Sequence, residues 1–190
     1  MLNRILFLCA LLTILTTAQA ATLLQLNPLN GAISGAPGEL KGWGFSLSND
    51  KNFLVVTSAT FASPTNLGSF TDFISASNFF VVGPARNGST VWAQSFDATT
   101  QTGIGSFAIN ADATPGSIAY GQIVLTYDLF SRSPLDVLFN PITDTLSNGN
   151  IVSANASVEA LAPVPLPASV WLFSSALLGV FSIARRKQNT

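Results

Sequence analysis

The sequence predicts an all-β protein: a single antiparallel β-sandwich, Ig-like or jelly-roll-like, flanked by an N-terminal signal-peptide helix and a C-terminal transmembrane helix. Three observations predict it. Apolar and polar residues alternate with period two through the central region, which puts one face of a strand inward. Turn-forming pairs break the chain at Pro37-Gly38, Gly83-Pro84, Asn87-Gly88, Pro115-Gly116 and Asn148-Gly149. No segment of residues 21–161 carries the 3.6-residue apolar stripe of an amphipathic helix.

The elements follow in order. A first strand is expected at 22–27. Trp43, Phe45 and Leu47 alternate with Gly44, Ser46 and Ser48 and make a second. Asn49-Asp50-Lys51-Asn52 is turn chemistry, because Asn and Asp bond their own backbone and tolerate positive φ. The β-branched and aromatic run 53–61 returns from it as a hairpin. Further strands are expected at 69–74, 78–82, 89–96, 104–110, 117–129 and 151–161. In the last, Val152, Ala154, Ala156, Val158 and Ala160 share one face. Fourteen Phe in the chain supply a core that needs no disulfide.

Both ends read as targeting segments. In residues 1–20, Arg4 precedes the apolar run Ile5–Leu15, and Ala18-Gln19-Ala20 forms a small-x-small cleavage site. This is a secretory signal with cleavage before Ala21, which implies Sec-type export machinery and signal peptidase as partners. Residues 21–161 then form the passenger domain. A Pro-rich spacer spans 162–167, with prolines at 163, 165 and 167 that favour extended chain. Residues 168–184 are seventeen uncharged residues, about 26 Å long as a helix, close to the thickness of a hydrocarbon core. Trp171 lies near the start, where an aromatic ring suits the interface. The basic cluster Arg185, Arg186, Lys187 opens a cytoplasmic tail, 185–190, and leaves the domain outside.

Four tail pieces occur in a fixed order: Val164-Pro165-Leu166-Pro167-Ala168, Trp-Leu-Phe at 171–173, Leu-Leu-Gly at 177–179, and Ile183-Ala184-Arg185-Arg186-Lys187. This tail resembles the PEP-CTERM sorting signal of exported bacterial proteins, in its Pro-Leu-Pro variant, with Leu166 where the family's name-giving Glu stands. The resemblance implies recognition by an exosortase-type membrane protease-transpeptidase and removal of the helix near Pro165–Pro167. It also implies a Gram-negative envelope setting associated with extracellular polysaccharide. Gly42-Trp43-Gly44-Phe45, Gly103-Ile104-Gly105-Ser106-Phe107 and Leu125-Thr126-Tyr127-Asp128-Leu129-Phe130 are similar to segments of other exported proteins of that kind.

Composition excludes several functions. The chain has 190 residues, suited to one core. Only 9% are charged, against roughly 25% in an ordinary soluble domain; mean hydropathy is +0.45. Eight Lys and Arg against nine Asp and Glu leave no basic field for nucleic acid. There is no His, which removes Ser-His-Asp and Cys-His catalysis and His-ligated metals. The one Cys, Cys9, lies in the signal segment. The passenger sets Lys41, Lys51, Arg86 and Arg132 against all nine acids, so its surface is mildly acidic.

The remaining motifs read mainly as structure. Gly103-x-Gly105 lacks the third glycine and the helix of a dinucleotide loop, and reads as a strand glycine or bulge. Trp43 is in phase with Phe45 and Leu47 and belongs to the core. Trp92 shares a face with Gln94 and is the candidate glycan contact. Nine scattered acids define no glycosidase pair by spacing. Asn49-Asp50 with Asn52, and Asp144 with Asn148 and Asn150, read as turn caps rather than Ca²⁺ loops. Thr57, Thr60 and Thr99-Thr100 make no regular ice-binding array. The expected protein is a non-enzymatic part of the cell envelope or extracellular matrix, without cofactor or metal. It is structural or adhesive, with membrane lipid as a partner and extracellular polysaccharide as the candidate ligand. The alternatives are a secreted carboxylate-dependent glycoside hydrolase and a plain membrane-anchored periplasmic domain.

Overall fold

The computed structural model describes residues 22–84 and 91–162, with Phe173 beyond them. Among the described residues there are ten strands: β1 (Leu23–Asn27), β2 (Ala32–Gly35), β3 (Leu40–Ser48), β4 (Phe53–Ala62), β5 (Gly68–Asp72), β6 (Val81–Val82), β7 (Val91–Gln94), β8 (Gly105–Ile109), β9 (Ile118–Phe130) and β10 (Thr145–Ala160). Single helical turns occupy Ile74–Ser77 and Pro141–Asp144.

The strands form two sheets around one shared core. One runs β1-β3-β8-β5, with β7 also paired to β3; the other runs β2-β10-β9-β4-β6. β3 is the pivot of the first sheet. Its Gly44–Ser48 half pairs with β1, and its other edge is divided between β8, along Leu40–Trp43, and β7, along Phe45–Ser48. The second sheet is built on the long β9–β10 ladder, regular from Asn150↔Tyr127 to Glu159↔Ile118.

Alternation carries the inward residues. Leu24 and Leu26 of β1, Phe45 and Leu47 of β3, Ile123 and Leu125 of β9, and Val158 and Ala160 of β10 are all buried. In β4 the register slips between Val56 and Ser58, leaving Thr57 as a bulge. That one extra residue moves the inward set from Leu54 and Val56 to Ala59 and Phe61. Trp43 is fully buried at the centre. Its ring lies 5.3 Å from Phe61 and 6.4 Å from Phe107, and Phe61 meets Phe107 edge-on at 5.6 Å. Among the described residues no buried side-chain polar atom lacks a hydrogen-bond partner.

The expected hairpin of 43–47 with 53–61 does not form: the Asn49–Asn52 turn carries the chain from one sheet to the other, so β3 pairs with β1, β7 and β8 while β4 pairs with β9 and β6. Three further features differ from the sequence expectation. First, β2 was not anticipated, and it joins β10 in parallel, so the sandwich is not wholly antiparallel. Four residues are too few for alternation to register; β2 is stabilised by its neighbour, with Ile33 buried. Second, the strand expected at 69–74 stops at Asp72. The Asp72 carboxylate accepts from Ile74 N at 2.7 Å and Ser75 N at 3.4 Å, which starts a helical turn instead. Third, the last strand begins at Thr145 rather than 151, through two register shifts that its turn residues absorb. No helix among the described residues is long and apolar enough to cross a membrane. The signal segment and all of 168–184 except Phe173 lie outside the described residues.

Candidate functional site

Trp92 is positioned by β7. Its register partner on β3 is Leu47, a core residue, so the indole lies on the inward side of the sheet near its rim. It stacks on Phe80 with ring centroids 5.3 Å apart and planes 2° from parallel. Phe80 in turn packs on Phe45 at 5.5 Å. Trp92 keeps 40% of its surface exposed, so it closes the end of the core and still meets solvent. Val91 and Phe79 beside this aromatic pair are also exposed.

Gln94 shares that face, opposite Phe45, and is fully engaged. Its Nε2 donates to Asn78 Oδ1 at 2.9 Å, and its Oε1 accepts from Asn78 Nδ2 and from Gly103 N at 3.1 Å. This amide clamp holds β7 against the 78 segment and the 103 turn. It makes Gln94 a structural residue and fixes the platform on which Trp92 rests.

A shallow depression of about 350 Å³ lies across β1, β3 and the end of β7. Gln25 and Asn27 of β1 flank it on one side, Ala93 and Ser95 on the other, with Ser46 between them. The side chains of Gln25, Asn27, Ser46 and Ser95 are neutral donors and acceptors. The sequence shows them as polar positions, but only the register makes them neighbours. Trp92 does not line this depression.

Six of the nine carboxylates, Glu39, Asp72, Asp97, Asp128, Asp136 and Asp144, accept from backbone N–H groups. Glu39 accepts from Ala36 N at 2.9 Å and pairs with Lys41 at 3.1 Å. Asp97 accepts from Thr99 N at 2.7 Å and Thr100 N at 3.2 Å. The Ala36 backbone bond, then Lys41, holds the Glu39 carboxyl below its ordinary range; the Thr100 and Thr99 backbone bonds do the same for Asp97. A general acid needs the opposite shift. Asp136 and Asp144 flank Arg132 at 4.0 and 3.8 Å. They also accept from Leu138 N and Asn140 N, each at 2.9 Å, which makes them braces of the 131–144 loop.

The expected turn caps are in place. Asn49 Nδ2 donates to Asn52 O at 2.6 Å, and Asn150 Nδ2 to Ser147 Oγ at 2.8 Å. No group of three or more His, Cys, Asp or Glu gathers among the described residues. Gly103 has φ +96°, and Gly105 opens β8 against β5, so the pair is a turn and a strand glycine. Of the targeting residues, Ala18, Ala20, Ala21, Val164, Pro165, Leu166, Pro167, Ala168, Arg185, Arg186 and Lys187 lie outside the described residues. The chain approaches the spacer from a fixed point, since Leu161 N donates to Gly35 O at 2.8 Å.

No protein-family model matches this sequence, and no curated protein matches it. Among solved structures the chain is similar to WR4, a C. elegans MSP family member, at 8% identity and a TM-score of 0.34, over 74% of this chain and 99% of that one. A likeness at that level carries no argument about function.

Proposed function

We propose that this chain is an exported protein of the cell envelope or extracellular matrix, sorted by a PEP-CTERM-like tail, with a structural or adhesive role. One observation carries the reading: the ordered series Val164–Ala168, uncharged 168–184 and Arg185-Arg186-Lys187, following directly on an all-β domain. Export machinery and signal peptidase act at Ala18–Ala21. An exosortase-type protease acts at Pro165–Pro167 while the helix is in the inner membrane, and the domain then reaches the outer surface or the medium.

Within the two-sheet fold, strand order favours the Ig-like alternative over the jelly roll. The order β1-β3-β8-β5 corresponds to the A-B-E-D sheet of such domains, and β10-β9-β4 to G-F-C. The half-exposed indole of Trp92 supports a role in contacting polysaccharide, since a flat ring backed by Phe80 suits a sugar face. The carboxylates weigh against the hydrolase, because those described above are bound to backbone N–H groups or to cations.

The test is the intact mass of the protein from the envelope and medium of its own host. A mass for residues 21 to about 166 is expected, the upper bound following from the sorting motif. A species spanning 21–190, confined to the inner membrane, would replace this reading with a plain anchored periplasmic domain. Glycan binding without turnover, lost in Trp92→Ala, is the expected result on a polysaccharide panel. Turnover abolished by one Asp→Asn change would establish the hydrolase.

A further inference from the structure

β10 is covered unequally on its two edges. β9 pairs with it along the whole regular stretch Asn150–Glu159, whereas β2 covers only Ser157–Ala160. Ser157 N and Leu161 N donate away from β9, to Gly31 O and Gly35 O, while Ala160 N donates to Ser117 O on the β9 side. Strand alternation then turns the N–H and C=O of Ile151 and Ser153 to the uncovered edge. Among the described residues no strand pairs with that edge between Asn150 and Ala156. The stretch runs without a bulge, and Thr145–Val158 contains no charged residue and no proline. Natural sheets guard exposed edges with those residues, or with bulges that turn the edge aside. Here the guards are missing from the longest strand among the described residues.

We propose that two copies of this chain join through the open edge of β10, their Asn150–Ala154 segments pairing antiparallel into one continuous sheet, so that Ile151 of each faces Ser153 of the other. The segment is suited to itself: a two-fold axis sets neutral residues opposite neutral ones, with no like charges in the ladder. A ladder this short buries little apolar surface, and the flanking loop supplies more. Leu135, Val137, Leu138 and Ile142 are all at least 70% exposed in the loop that leads into β10. Antiparallel pairing carries that loop toward the partner's β2, the strand that occupies the same edge over Ser157–Ala160. The inference does not depend on export or on sorting.

Sedimentation of the purified native protein across a concentration series, with amide exchange at Ile151 and Ser153, tests it. A reversible dimer is expected, with both amides protected only at concentrations where the dimer forms. Ser153→Pro removes an edge N–H at a site where proline is tolerated, and Ile151→Lys adds like charges across the two-fold. Each should weaken association at least tenfold while the near-ultraviolet circular dichroism stays native. A monomer at every concentration overturns the proposal. So does a dimer unaffected by both variants. Protection independent of concentration also overturns it, because another segment of the same chain, or a bound extended peptide, would then cover the edge.

Discussion

Trp43 Nε1 donates to the Gly31 carbonyl across the core at 2.8 Å, and Ser157 N donates to the same oxygen at 3.0 Å. One carbonyl thus ties β3 of the first sheet to β10 of the second, at the point where β2 begins. Gly31 has φ +67°, and a Cβ there would stand inside van der Waals contact with Asn155 O. No other residue fits both the conformation and the approach.

Trp43→Phe should therefore lower the unfolding free energy by about 2 kcal/mol, through a lost buried hydrogen bond and a small cavity. Gly31→Ala should cost at least about 2 kcal/mol by strain and displacement of β10. Urea unfolding with unchanged slopes checks both. Losses below about 0.5 kcal/mol, the level of an ordinary surface change, would show that the junction is not a stabilising contact.

Asp72 joins the two sheets at a second point. Its Oδ2 accepts from Ala59 N of β4 at 3.0 Å while Oδ1 starts the 74–77 turn. Asp72→Ala leaves those N–H groups without their acceptor and should destabilise by about 1–3 kcal/mol. Asp72→Asn keeps one oxygen and should fall between wild type and Ala. Equal losses in the two variants would mean that charge, rather than the bonds, matters.

Acid should weaken the fold in part through Asp97 and Glu39. Both carboxyls sit below their ordinary values in the folded state, so their contribution is present above the unfolded pKa. It is lost as pH falls through the folded one. The urea midpoint should decline below about pH 4. Asp97→Asn should be less stable than wild type near neutrality, and the gap should close in acid. A gap of constant size would assign the loss to geometry instead of ionisation.

The two described tryptophans should respond differently to acrylamide. Trp43 is fully buried and Trp92 is 40% exposed. Trp92→Phe should remove a quenchable component and leave the Trp43 component shielded. A saccharide bound at Trp92 should protect that component in wild type. Quenching that persists unchanged in Trp92→Phe would contradict the placement of the two rings.

Much of the fold was legible because burial selects side chains by parity. The alternation through Trp43–Leu47 marks Trp43 as core, and the Asn49–Asn52 turn appears where its residues require it. Asp72 was less legible: ending a strand and capping a turn both suit Asp, and the choice depends on the distant Ala59 N–H. Trp92 was legible only in part, since its exposure depends on where Phe80 lies.

The sequence by itself determined the all-β class, most strand positions and the sparse, mildly acidic charge of the domain. These follow from local composition and from period. Tertiary structure alone decided the parallel seat of β2 on β10, the parity change at Thr57, the separation of Trp92 from the Gln25–Ser46 depression, and the open edge at Ile151 and Ser153. The physical reason is that pairing partners are set by packing between residues far apart in the chain. Period two reports which side of a strand is buried, but is silent about which strand lies beside it.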